Sequence, residues 1–97
     1  MSDTRKIWKF GLSLTSEQSV KMPRGAKIIH VGMSRDQLSL WAIVDETRSE
    51  VARLFEVVGT GHEFIRDECT AYVGTAIDGG IFVWHVFERI KTREPTT

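Results

Sequence analysis

Residues 81–87, Ile-Phe-Val-Trp-His-Val-Phe, are apolar on both faces of any strand they form. Side chains alternate sides along a strand. Ile81, Val83, His85 and Phe87 therefore share one side, and Phe82, Trp84 and Val86 the other. A lone antiparallel sheet needs only one buried face. A chain with two must cover the second with another sheet, another subunit or a ligand. This points to a compact β protein that associates, rather than to a solvated monomeric enzyme.

The rest of the chain repeats the theme. Trp8, Phe10, Leu12 and Leu14 alternate with Lys9, Gly11 and Ser13, a period-two strand with one apolar face. Val20 to Met22 is a short extended piece, and Pro23-Arg24-Gly25 a tight turn. Strict alternation across residues 26–33 sets Ile29, Val31 and Met33 against Ile28, His30 and Gly32. Leu38, Leu40, Ala42 and Val44 make an apolar face, with Trp41 and Ile43 behind it. Residues 51–58 form another strand, its two faces broken by Arg53 and Glu56. Residues 71–77 and 81–90 flank Asp78-Gly79-Gly80, a strong hairpin signal because Asp and Gly tolerate positive φ. Residues 63–69 fit either a helical turn or an irregular excursion. The expected fold is all-β, with at most one short helical turn: a small antiparallel sandwich or barrel of about six or seven strands. One domain over residues 6–90, followed by a polar, disordered tail at 91–97, fits the 97-residue length.

Composition removes several classes. Thirteen basic and 13 acidic residues balance, which argues against a duplex nucleic-acid binder. No run approaches the roughly 20 apolar residues of a membrane span. The opening residues lack the apolar core of a signal peptide, and the lone Cys69 has no internal disulfide partner. A cytosolic setting is expected, which includes a host cytoplasm. A core this small makes oligomerisation attractive.

Candidate chemistry is sparse. Gly59-Thr60-Gly61-His62 could bring backbone amides close to an anion, with Thr60 or His62 donating a hydrogen bond. It could equally be a plain turn, and it is neither a Walker loop nor a dinucleotide fingerprint. His30, His62 and His85 have no metal-ligand spacing, and Cys69 has no CxxC partner, so neither metal nor cofactor is expected. His85 reads first as a buried histidine bonded to a backbone carbonyl, second as a ligand contact. Trp41 suits a subunit interface or a ligand wall. On strict alternation Tyr72 shares a face with Gly74 and Ala76, leaving room for something flat. No serine lies in a GxSxG elbow, and nothing in the spacing demands a Cys69–His62 dyad. No catalytic set is expected.

Several stretches carry a resemblance: residues 6–10, 23–28 and 40–45, the Gly-Thr-Gly-His at 59–62, Tyr72-Val73-Gly74-Thr75 and Val83 to Glu88. In this order they resemble a family of short bacteriophage proteins of unknown function, itself similar to viral anti-CBASS sponge proteins. The resemblance implies a homo-oligomer, a tetramer among the sizes it allows. That oligomer would sequester a cyclic dinucleotide of the cyclic GMP-AMP type, without turnover, in the host cytoplasm. Aromatic rings would stack on bases. Loop amides of Gly59, Thr60 and Gly61, with His62, Tyr72, Trp41, His85 and Arg24, would complete the site. Two other readings stand beside it: a virion or assembly module with no small ligand, and a small nuclease or phosphodiesterase.

Overall fold

The computed structural model describes residues 3–91, so of the tail expected at 91–97 all but Lys91 lies outside the described residues. The chain forms seven strands: β1 (Lys6–Gly11), β2 (Gln18–Pro23), β3 (Lys27–Ser34), β4 (Gln37–Val44), β5 (Glu50–Gly59), β6 (Thr70–Asp78) and β7 (Phe82–Arg89). They make two sheets, ordered β1-β4-β3 and β2-β5-β7-β6, and every pairing is antiparallel. Among the described residues there is no helix. None is therefore long and apolar enough to cross a membrane. Residues 63–69 take the irregular alternative.

The sheets face each other across one core. Leu38, Leu40, Ala42 and Val44 of β4 are all buried, as period-two patterning requires of a central strand. Phe55 and Val57 of β5, Ala76 of β6 and Val86 of β7 meet them from the other sheet. Trp8 and Phe10 pack on the margin, whereas Leu14, the last of the alternating series, is exposed beyond the end of β1. Arg53 points inward and closes one end of the core. Its guanidinium donates to both oxygens of Glu88 at 2.6 and 2.8 Å and to the Ala26 carbonyl at 2.5 Å. The bonds to Glu88 raise the Arg53 pKa against the opposing effect of burial.

Two bulges shift the register, and both correct strict alternation. Ile28 pairs with Ala42 but His30, not Ile29, pairs with Trp41. Ile29 is the extra residue and is exposed, so Ile28 joins Val31 and Met33 on the inner side. In β6, Tyr72 pairs with Phe87 and Gly74 with Val86, leaving Val73 extra. Tyr72 therefore lies on the outer side with Thr75 and Ile77, opposite Gly74 and Ala76. An extra residue flips everything beyond it.

Gly74 sits where β3 and β6 come closest. A Cβ there would stand 2.8 Å from Cβ and Cγ2 of Val31. The β6–β7 hairpin forms as its sequence requires, with Gly79 and Gly80 at φ 61° and 74° and the Ile81 amide donating to the Asp78 carbonyl. Two consecutive positive φ values define the turn type that matches strand twist. Between β4 and β5, the Asp45 carboxylate accepts from the Thr47 hydroxyl at 2.6 Å and the Thr47 amide at 3.0 Å.

Two predictions follow from this packing. Gly74→Ala should destabilise the fold by about 1–3 kcal/mol through overpacking, read as a lowered melting temperature. In Gly74→Ala/Val31→Ala the two losses should be less than additive, because the second change makes room for the first. The Thr47 hydroxyl, then its amide, then Arg5 and Arg48, hold the Asp45 carboxyl below its ordinary value, and desolvation opposes them only in part. This contribution is complete above the unfolded value of about 3.9 and is lost as pH falls through the lower folded value. An NMR titration should place the Asp45 midpoint below that of an unfolded Asp, and Thr47→Ala should raise it.

Candidate functional site

The outer side of the four-stranded sheet carries a file of side chains unlike the core. On β7 these are Val83, His85 and Phe87, and on the neighbouring rungs Val58 of β5 and Tyr72 and Thr75 of β6. Val58 pairs with His85, and His85 in turn pairs with Thr75. After β5 the chain turns over this file through residues 59–62. The His62 amide donates to the Gly59 carbonyl, and Gly61 takes φ 89° at the third turn position, as a type II turn demands. The turn brings Thr60 back over β7, where its amide donates to the Val83 carbonyl. Phe64 then stacks on Phe87, with ring centroids 4.9 Å apart.

These residues enclose a hollow of about 270 Å³ lined by Val58, Gly59, Thr60, Gly61, His62, Phe64, His85 and Phe87. A larger cleft of about 480 Å³ lies on the other side of Phe64 and reaches Glu17, Glu56 and Trp84. The smaller hollow has the more site-like chemistry, since apolar ring faces meet a few convergent polar groups there.

Those polar groups form a chain. The Thr60 hydroxyl lies 2.7 Å from His85 Nε2, and the Thr75 hydroxyl 3.0 Å from His85 Nδ1. Tyr72 Oη lies 2.5 Å from the Thr75 hydroxyl. The Tyr72 ring, 61% exposed, sits edge-on to Phe87 at 5.6 Å. His85 is thus not a buried histidine held by a carbonyl. It is half-buried, and a threonine hydroxyl engages each ring nitrogen.

The expected residues divide. Gly59, Thr60, Gly61, His62 and His85 line one hollow, and Tyr72 joins them through Thr75 and Phe87. The His62 ring lies over Gly59, where a Cβ would come within 2.9 Å of its Nδ1. Trp41 and Arg24 stand elsewhere. Trp41 lies on the outer face of the other sheet, 5.5 Å from the His30 ring. Arg24 belongs to the turn beside Ser49, at the Glu50 end of β5. Eight residues of strand separate that end from Val58, roughly 27 Å.

Of the loop amides expected to cradle an anion, that of Thr60 is bonded to the Val83 carbonyl, and the His62 amide beside them is bonded to Gly59. No Lys or Arg lines the hollow either. Phe64, Thr75 and Phe87 complete the site and were missed. Phe87 was findable, since it shares a face with His85. Thr75 was hidden by the bulge, and Phe64 lies in a segment without periodicity.

Cys69 and His62 form no dyad. The Cys69 carbonyl accepts from the Ile90 amide at one end of β7, while His62 is at the level of Trp84, several rungs away. Among the described residues, no three His, Cys, Asp or Glu side chains gather closely enough to hold a metal ion. No curated protein and no solved structure matches the chain. The family model for DUF7352, a domain of unknown function, matches residues 3–97, and the chain belongs to that family.

Proposed function

We propose that this protein binds nucleotides without turning them over, and that the hollow beside His85 takes a base and its phosphate. The observation that carries this reading is the convergence of flat ring faces and hydroxyl donors at one place. Phe64, Phe87 and Tyr72 supply the rings, and Thr60, His85 and Thr75 the polar groups. Stacking on a ring contributes about 1–3 kcal/mol per base.

Size refines the reading. Ligand sites usually measure about 300–1,000 Å³, and this hollow measures about 270 Å³. It suits one nucleotide unit of a cyclic dinucleotide. The other unit would extend past the rim, where a second copy of the chain could cover it. A shared pocket of that kind gives a homo-oligomer a reason to exist, and it is how nanomolar affinity, roughly −12 kcal/mol, comes within reach.

Catalysis fits less well. Thr60 and His85 stand at the distance a nucleophile and its base require. The third member, however, is the neutral Thr75 hydroxyl, which stabilises an imidazolium poorly compared with a carboxylate. The Thr60 and His62 amides beside this pair are committed to carbonyls rather than free for an oxyanion. A trap needs neither group. That such a trap withholds signals of bacterial anti-phage defence in a host cytoplasm rests on the motif resemblance alone.

Calorimetry against a panel of cyclic di- and trinucleotides, including cyclic GMP–AMP, tests the reading, with the bound species recovered by heating and analysed. Binding of at least one member is expected, with the nucleotide recovered intact. Thr60→Ala and Tyr72→Ala should each weaken it about tenfold or more, equivalent to about 1.4 kcal/mol, with melting temperature little changed. Recovery of altered nucleotide would make the protein an enzyme. Silence across the panel would favour an interaction module, for which exposed Ile77, Ile81 and Phe82 around the β6–β7 turn are the natural contact.

A further inference from the structure

We infer that the hollow recognises its ligand by an anionic phosphodiester that accepts from the Thr60 hydroxyl, and that a proton on His85 tightens this grip. The inference rests on the reading of the hollow as a nucleotide site and adds to it the chemistry of recognition.

The argument follows the protons. A hydroxyl donates one hydrogen and accepts through its lone pairs, and a neutral imidazole donates from one nitrogen and accepts at the other. Suppose His85 Nε2 carries the proton. It donates to Thr60, whose own hydrogen is free to point into the hollow. Nδ1 then accepts from Thr75, and Thr75 accepts from Tyr72, so Tyr72 presents only lone pairs. With the proton on Nδ1 every bond reverses: Tyr72 becomes the free donor and Thr60 the acceptor. A neutral chain is therefore a donor at one end and an acceptor at the other.

Protonated His85 removes that asymmetry. Both ring nitrogens donate, so Thr60 and Thr75 both accept from the ring. Thr60 is left to donate outward, Thr75 donates to Tyr72, and Tyr72 donates outward in turn. Of these outward donors Thr60 lines the hollow; a fixed donor beside a positive ring matches an oxyanion, and hydrogen bonds to a charged group are roughly twice as strong as neutral ones. Because no Lys or Arg lines the hollow, its two histidines are the lining groups able to supply positive charge.

Charged and titratable groups face His85 from each neighbouring element. On β5, Glu56 occupies the next rung of the same face, opposite Phe87. On β7, Arg89 lies beyond it and pairs with Glu56 at 3.5 Å and also with Glu17. One cation thus stands between two carboxylates, a net negative group. From β6 the ring meets Thr75, which is bonded in turn to Tyr72, and His62 of the loop lines the same hollow. Imidazole as a class exchanges its proton between about pH 5 and 8, and the test spans that range.

The test uses 3′,5′-cyclic AMP and adenosine, which share a base and differ by a phosphodiester whose own charge is constant over this range. Lowering the pH from about 8 to about 5.5 should strengthen cyclic AMP binding about tenfold and leave adenosine unchanged. The gain should vanish in His85→Gln and persist in His62→Gln, each checked for folding by its melting transition. Nitrogen-15 NMR of the unmodified chain gives a second reading: bound cyclic AMP should leave both His85 ring nitrogens protonated. Equal cyclic AMP affinity at both pH values, a gain that survives His85→Gln, or a neutral ring in the complex overturns the inference and leaves the hollow as a base site. Failure of both ligands to bind at either pH overturns the nucleotide reading as well.

Discussion

The approach of Val31 to Gly74 sets the geometry on which the rest of the molecule depends. It is the point where the margin of one sheet meets the margin of the other, and even a methyl group at residue 74 would collide with Val31. The absent side chain lets β3 and β6 close the side of the sandwich over Ala76, Val86 and the β4 face. The bulge at Val73 belongs to the same device. It turns Gly74 inward at the contact and leaves Tyr72 outward, one rung from Thr75. Closure of the core and assembly of the hydroxyl chain on the opposite face are thus consequences of one irregularity in β6.

The fold was legible wherever one residue fills one rung. β4 reads as apolar at Leu38, Leu40, Ala42 and Val44, and all four are buried. Asp78-Gly79-Gly80 reads as a hairpin and forms one. β7 reads as two-faced: its Trp84 and Val86 belong to the core side while His85 and Phe87 look outward. Legibility failed at the two bulges. A period-two argument counts residues, whereas a bulge places two residues against one, so Ile28 and Tyr72 were both assigned to the wrong side.

The site was legible in part for the same reasons. Gly59 to His62 stood out through glycine content and His85 through its apolar strand, and the turn brings them together. Thr75 and Phe64 were invisible because their positions depend on the Val73 bulge and on an aperiodic loop. Trp41 stands behind the apolar face of its own strand and Arg24 carries a cation in its turn, but the topology sends both to other places. Charge and aromaticity show what a residue can do, but only strand order shows which residues can do it together.

The two-faced strand also separates stability from recognition. β7 is a central strand, hydrogen-bonded on both sides, so His85 and Phe87 project from one of the most constrained backbones in the molecule. A site on such a strand has little ordering entropy left to lose on binding. Only Thr60, Gly61, His62 and Phe64 come from a loop, and the loop is tied down by the Thr60–Val83 bond and the Phe64–Phe87 stack. Side chains of the chain Thr60–His85–Thr75–Tyr72 face away from the core, so they can change without opening a cavity. Gly74 is the exception, because it is held in place by the core and it orders the neighbours that form the site. A substitution there would act on both properties at once, through the position of β6 rather than through any contact with a ligand.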